Sequence, residues 1–145
     1  MPCIRAAFGA LALVAATSIH AQSTEPLSVA QVESVTGIKG LTLASSKVDR
    51  TARTFTTADN ELALTMKLAH ASVFDFWRDQ ASADDQAPLK GLADEAFASK
   101  KGRYVCFRKA SKGVCLVARA ATGNAAQLVT DAHLMELAKA AAANL

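Results

Sequence analysis

The stretch from Leu62 to Leu68 constrains this chain most, because Leu62, Leu64, Met66 and Leu68 alternate with Ala63, Thr65 and Lys67. Successive side chains of a strand point to opposite faces, so this period of two loads four large apolar groups onto one face. A sheet holding such a strand is covered on one side, which favours antiparallel pairing. Ala58-Asp59-Asn60 ahead of it is turn chemistry, Thr51 to Thr57 is rich in β-formers, and Thr42 to Ser46 is a weaker first strand.

A β-hairpin is expected further on, where Tyr104 to Lys109 and Val114 to Ala120 are joined by Ala110-Ser111-Lys112-Gly113, whose glycine can take a positive φ. If Cys106 faces Cys115 across it, Phe107 opposes Val114 and the ladder continues to Tyr104 and Val117. The pair is therefore expected to form a structural disulfide. Closing so short a loop contributes about 2.5–3 kcal/mol in the chain-entropy model. The spacing is not that of a Cys-x-x-Cys redox site, and two cysteines without nearby histidines make a poor zinc site, so no metal is expected.

Three helices are legible. Ser28-Val29-Ala30-Gln31 has capping-box spacing, Leu27 can staple onto Val32, and Gly37 is placed to end the helix. Val73, Phe76 and Trp77 recur at helical spacing and predict a core-facing helix from Ser72 to Gln80. Thr130 can cap a third helix whose Leu134, Leu137, Ala138 and Ala141 form an apolar stripe. Ala81 to Pro88 lacks periodicity and reads as a surface loop, and a strand is expected to start at Ala96. The order predicts an α+β fold: a twisted antiparallel sheet of five to six strands with two to three helices, arranged as helix plus meander twice over.

Residues 1–21 read as a secretory signal peptide, with Arg5, an apolar run from Ala6 to Ala16 and a small-residue exit at Ala21. The run is too short and too broken to span a bilayer, so cleavage after Ala21 is expected, with no transmembrane anchor. Cys3 leaves with the leader. Residues 22–145 then form a single domain that is periplasmic or secreted, where Cys106 and Cys115 can pair oxidatively. Without Arg5 the mature chain holds 15 basic against 13 acidic side chains, a balance that names no partner and gives no reason to expect nucleic-acid binding.

Local charge says more. Asp75, Asp79, Asp84, Asp85, Asp94 and Glu95 precede a basic cluster of Lys100, Lys101, Arg103, Arg108, Lys109 and Lys112. Whichever hairpin face is buried, Arg108, Lys109 and Lys112 are expected to converge at its tip as a candidate anion or partner site. His70 and His133 sit in no ligand motif, no Gly-x-Ser-x-Gly occurs, and the adjacent carboxylates Asp84-Asp85 and Asp94-Glu95 diverge too far for paired acid and base work. No cofactor is expected. The expected function is a non-enzymatic exported binding or accessory protein acting through protein-protein contact. A binder of a small anionic ligand or envelope polymer through the basic hairpin is the alternative, and an enzyme with an unrecognised site ranks third.

Gly91-Leu92-Ala93-Asp94-Glu95-Ala96-Phe97 before the hairpin resembles a Gly-Leu-Gly-Asp-Glu-Ala-Phe segment of uncharacterised small exported bacterial proteins. The resemblance extends over Leu27 to Arg119, and Ala93 stands where that pattern has its second glycine. It implies an exported α+β domain and carries over no catalytic or ligand-binding residue. Physically, Gly91 reads as a turn and Asp94 as a side chain that ties the loop to its own backbone.

Overall fold

The structure, a computed structural model, describes residues 25–119 and 127–145. The expected leader with Cys3 and its exit at Ala21 lies outside the described residues, as does Ala120 at the end of the expected hairpin. The elements run α1 (Val29–Thr36), β1 (Thr42–Ser45), β2 (Ala52–Thr56), β3 (Leu62–His70), α2 (Ser72–Gln80), a 3-10 turn (Ala83–Asp85), β4 (Gln86–Leu89), β5 (Glu95–Ser99), β6 (Tyr104–Lys109), β7 (Lys112–Ala118) and α3 (Asp131–Ala143). The fold is α+β. Its seven strands form one antiparallel sheet in the order β1-β2-β3-β7-β6-β5-β4.

That order follows from where the chain goes after β3. The strands β1 to β3 form a meander, α2 then carries the chain to the far edge, and β4 to β7 meander back until β7 pairs with β3. The helix-plus-meander order is present, but the halves do not repeat their packing, because α1 and α2 lie on opposite faces.

Alternation along the strands fills two cores. On one face Phe55, Leu64, Met66, Phe107 and Leu116 are fully buried with Leu27 and Val32 at α1 and Leu134 and Leu137 from α3. Ser28 opens α1 with a complete capping box to Gln31, and Gly37 closes it at φ 75°, in the left-handed region that glycine adopts without steric cost. Thr130 caps α3, with His133 completing that box. On the other face α2 packs over β3, β6 and β7 and covers a smaller cluster of Phe74, Phe97, Cys106 and Cys115.

Several expectations are corrected. Among the described residues the sheet has seven strands because β4 overlaps the segment expected to be a loop. Pro88 and the lack of alternation hide it, and both are tolerated on an edge strand that needs hydrogen bonds on one side only. The sheet carries helices on both faces rather than one. The alternation of β3 also breaks at its start: Phe55 pairs with Leu64 but Thr56 with Leu62, and Ala63, skipped in that register, joins the main core while Leu62 stays half-buried. On α2 the buried aromatic is Phe74, whereas Phe76 is 60% exposed.

The late edge is tied down by Asp85. Its Oδ2 accepts from the Ser99 hydroxyl at 2.7 Å, its Oδ1 from the Lys101 amide at 3.2 Å, and its carbonyl from the Lys100 amide at 2.6 Å. The Ser99 hydrogen bond, above all, and the Lys101 amide bond with the nearby Lys101 and Arg103 charges hold the Asp85 carboxyl below its ordinary 3.8, against a partial desolvation that acts the other way. A depressed folded value contributes stability above the unfolded value and loses it as pH falls through the folded one. Asp85→Asn is therefore expected to flatten the acid-side loss of thermal stability below about pH 4, measured by unfolding midpoints across that range. Parallel acid limbs for the two proteins would remove Asp85 from the account.

Candidate functional site

The α2 side of the sheet gathers most of the polar and aromatic chemistry, and the cystine is its floor. In β6 and β7 Cys106 and Cys115 stand directly opposite, with Phe107 opposite Val114 and Tyr104 opposite Val117, in the expected register. Their sulfurs lie at bonding distance, 1.94 Å, with the Cα atoms 4.0 Å apart. Edge-to-face contacts run from Phe74 to Phe97 at 5.3 Å and from Phe97 to Tyr104 at 5.9 Å between centroids. Above them Trp77 packs against Gly113, where a Cβ would stand 3.3 Å from the indole. The hairpin glycine thus serves close packing inside β7, and the positive φ of the turn falls on Ala110 at 51°.

Asp94 holds that unusual residue. Its Oδ2 accepts from the Ala110 amide at 2.7 Å, and its own amide donates to the Arg108 carbonyl. A left-handed alanine costs roughly 1–2 kcal/mol, and a charge-assisted bond to its amide offsets part of that. Gly91 does turn the chain, at φ 78°, but Asp94 bonds across to the hairpin rather than back to its own loop.

Four charges close a ring around Phe74. Arg78 reaches Asp75 Oδ1 at 2.7 Å and Glu95 Oε2 at 3.3 Å, while Arg108 reaches Asp75 Oδ2 at 3.4 Å and bonds Glu95 Oε1. Each carboxylate oxygen meets one guanidinium and the ring is neutral. Both guanidinium carbons also lie against the Phe74 ring, at 5.7 Å for Arg78 and 5.3 Å for Arg108. The Glu95 hydrogen bond, with the charges of Glu95, Asp75 and Asp94, pushes the Arg108 pKa further up. This ring pins α2 to β5 and β6. The amide of Gln86 adds a second anchor by donating to the Arg78 and Ala81 carbonyls at the end of α2.

The three residues expected at the hairpin tip do not converge. Arg108 lies on the α2 side in the ring, while Lys109 points to the other face, where its Nζ donates to the Ala142 carbonyl at 2.7 Å near the end of α3. Lys112 is exposed opposite Lys109. Both histidines work at helix starts: His70 Nδ1 accepts from the Ser72 amide, and His133 takes part in the Thr130 cap. Of the paired carboxylates, Asp85 and Asp94 hold backbone amides and Glu95 is in the ring. Among the described residues no helix is long and apolar enough to cross a membrane.

Two surface features were not singled out beforehand. A groove of about 290 Å³ runs beside α2 above the cystine, lined by Phe76, Trp77 and Tyr104 with Lys67 and Gln80 at its polar positions. The Tyr104 hydroxyl is shielded from solvent and has no hydrogen-bond partner among the described residues. Desolvation, with a smaller push from the Asp85 charge, raises its pKa, so it remains a protonated donor at neutral pH. Next to the groove the sheet presents Thr54 and Thr65 in register with Val117 and Tyr104, and Thr42 beside Thr56 with hydroxyls 2.8 Å apart. The Thr-x-Thr of β2 was visible as strand propensity alone. Its side became visible only with the register.

Comparisons of the chain with protein-family models, curated proteins and solved structures find no match.

Two outcomes follow from the ring and the cystine. Arg108→Met keeps a long side chain over Phe74 and is expected to lower the unfolding midpoint at low salt, with the deficit shrinking near 1 M salt, where the Debye length is about 3 Å. A deficit equal at both salts would assign the loss to packing. Replacing both cysteines with Ser is expected to cost about 2.5–3 kcal/mol in denaturant unfolding while the native circular dichroism persists, since the main core lies on the opposite face.

Proposed function

We propose that this chain is a non-enzymatic, exported binding or accessory protein that acts through protein-protein contact on the α2 side of its sheet. The observation that carries this reading is Phe76, 60% exposed on a helix whose Phe74 is 1% exposed. Next to it lie the groove at Trp77 and the threonine-bearing sheet surface. An exposed aromatic beside a concavity, held on a pinned helix, is the kind of anchor that dominates contact energetics. The two histidines serve helix starts, and Asp75, Asp85, Asp94 and Glu95 are engaged in ion pairs or with amide and hydroxyl donors, which supports binding over catalysis.

A periplasmic or secreted location is supported by the cystine, because such bonds persist in oxidising compartments. The reading as a binder of anionic polymer through the basic hairpin draws less support, since the groups meant to attract the anion are engaged at Arg108 and Lys109.

A photo-crosslinking residue at position 76 is expected to give a discrete protein adduct in cells, while one at Val48, 97% exposed between β1 and β2, gives none. Phe76→Ser in a chain crosslinking from a neighbouring α2 position should abolish that adduct and leave the unfolding midpoint unchanged. Equal labelling from positions 76 and 48 would overturn the proposal.

A further inference from the structure

We infer that the groove above the cystine is a binding site for a small amphiphile: one aromatic or short aliphatic body ending in an anionic acceptor such as a carboxylate. This goes beyond the contact surface and does not rest on it, because its chemistry comes from the Tyr104 hydroxyl and the Lys67 ammonium rather than from the exposed part of Phe76.

Three observations define the occupant. The volume of about 290 Å³ is at the small end of ligand pockets and admits a single ring with a short chain. The walls are apolar, from Trp77, Val117 and the disulfide, so they take a hydrocarbon body. The polar groups are then few, the Lys67 ammonium, the Gln80 amide and the Tyr104 hydroxyl, and each of them can donate a hydrogen bond. The Tyr104 hydroxyl is a shielded donor that no described residue satisfies, a state that costs free energy and that a ligand acceptor would relieve.

Lys67 is the one cation lining the groove among the described residues. It projects from β3 on the same side as the cystine, in register with Cys115. Its only ion pair among those residues is a long one to Asp49, at 3.7 Å, with both side chains about two-fifths exposed. Exposed pairs of that length contribute little, so the ammonium can exchange Asp49 for a ligand anion. A shielded donor and an exchangeable ammonium in an apolar groove select an acceptor with negative charge and reject a cation.

Trp77, the single tryptophan of the chain, lines the groove and reports occupancy by its emission. The test titrates the oxidised protein with 3-phenylpropionate and with its uncharged counterpart 3-phenylpropanol. Saturable change in Trp77 emission is expected with the carboxylate, and binding about five-fold or more weaker with the alcohol. Tyr104→Phe, which removes one oxygen, should weaken the carboxylate about five-fold. Lys67→Gln should erase the preference for carboxylate over alcohol. Val117→Phe, filling the groove from its floor, should abolish the response, and this second variant keeps the test decisive if Tyr104→Phe does not fold. No saturation with either probe, or binding indifferent to both the charge and the Tyr104 hydroxyl, would overturn the site. Neither result bears on crosslinking from position 76.

Discussion

The pairing of β3 with β7 is the joint on which the molecule depends. It runs from Leu64 opposite Ala118 to His70 opposite Lys112 and is the only seam between the two meanders within the described residues. Both cores straddle it. Met66 meets Leu116 and Leu68 meets Val114 on one face, and Lys67 meets Cys115 on the other. Because a one-residue slip would send every side chain to the wrong face, the apolar rows of these two strands enforce each other's register. The connection that makes the pairing reachable is α2, which moves the chain to the far edge so that the second meander returns toward β3.

That route explains why the two faces differ. The helices α1 and α3 cover a broad apolar face, whereas α2 covers only part of its own and leaves the threonines of β1 to β3 and the groove open. The larger core carries the stability and the smaller side holds the chemistry. The cystine belongs to the second region, so it braces the groove floor rather than the main core.

How much of this the chain disclosed beforehand depends on the range of the interaction. Ser28 with Gln31, Thr130 with His133, and Cys106 opposite Cys115 are local relations, and spacing reveals them. The bounds Ser72 to Gln80 were legible for the same reason. Periodicity could not decide between Phe74 and Phe76, because a nine-residue helix packed through its middle has room for either stripe, and the sheet beneath selects one. The ring of Asp75, Arg78, Glu95 and Arg108 unites three elements, and nothing in the spacing of those residues announces it. The convergence expected of Arg108 and Lys109 assumed charges directed by the turn alone, whereas Asp75 and Glu95 draw one and the end of α3 draws the other. The edge strand β4 was hidden because an edge asks so little of its sequence.

The bond from Asp94 to the Ala110 amide has a further consequence. The conformation of the tightest turn in the sheet is dictated by a carboxylate from a different strand connection, not by the residues of the turn. Ala110 has little preference for the backbone it adopts, so the hairpin is specified by its surroundings. Cut out as a peptide, Tyr104 to Ala118 would keep its covalent cross-link but lose its conformational instruction. In the chain, the loop before β5 supplies that instruction, so the turn answers to tertiary structure rather than to its own residues.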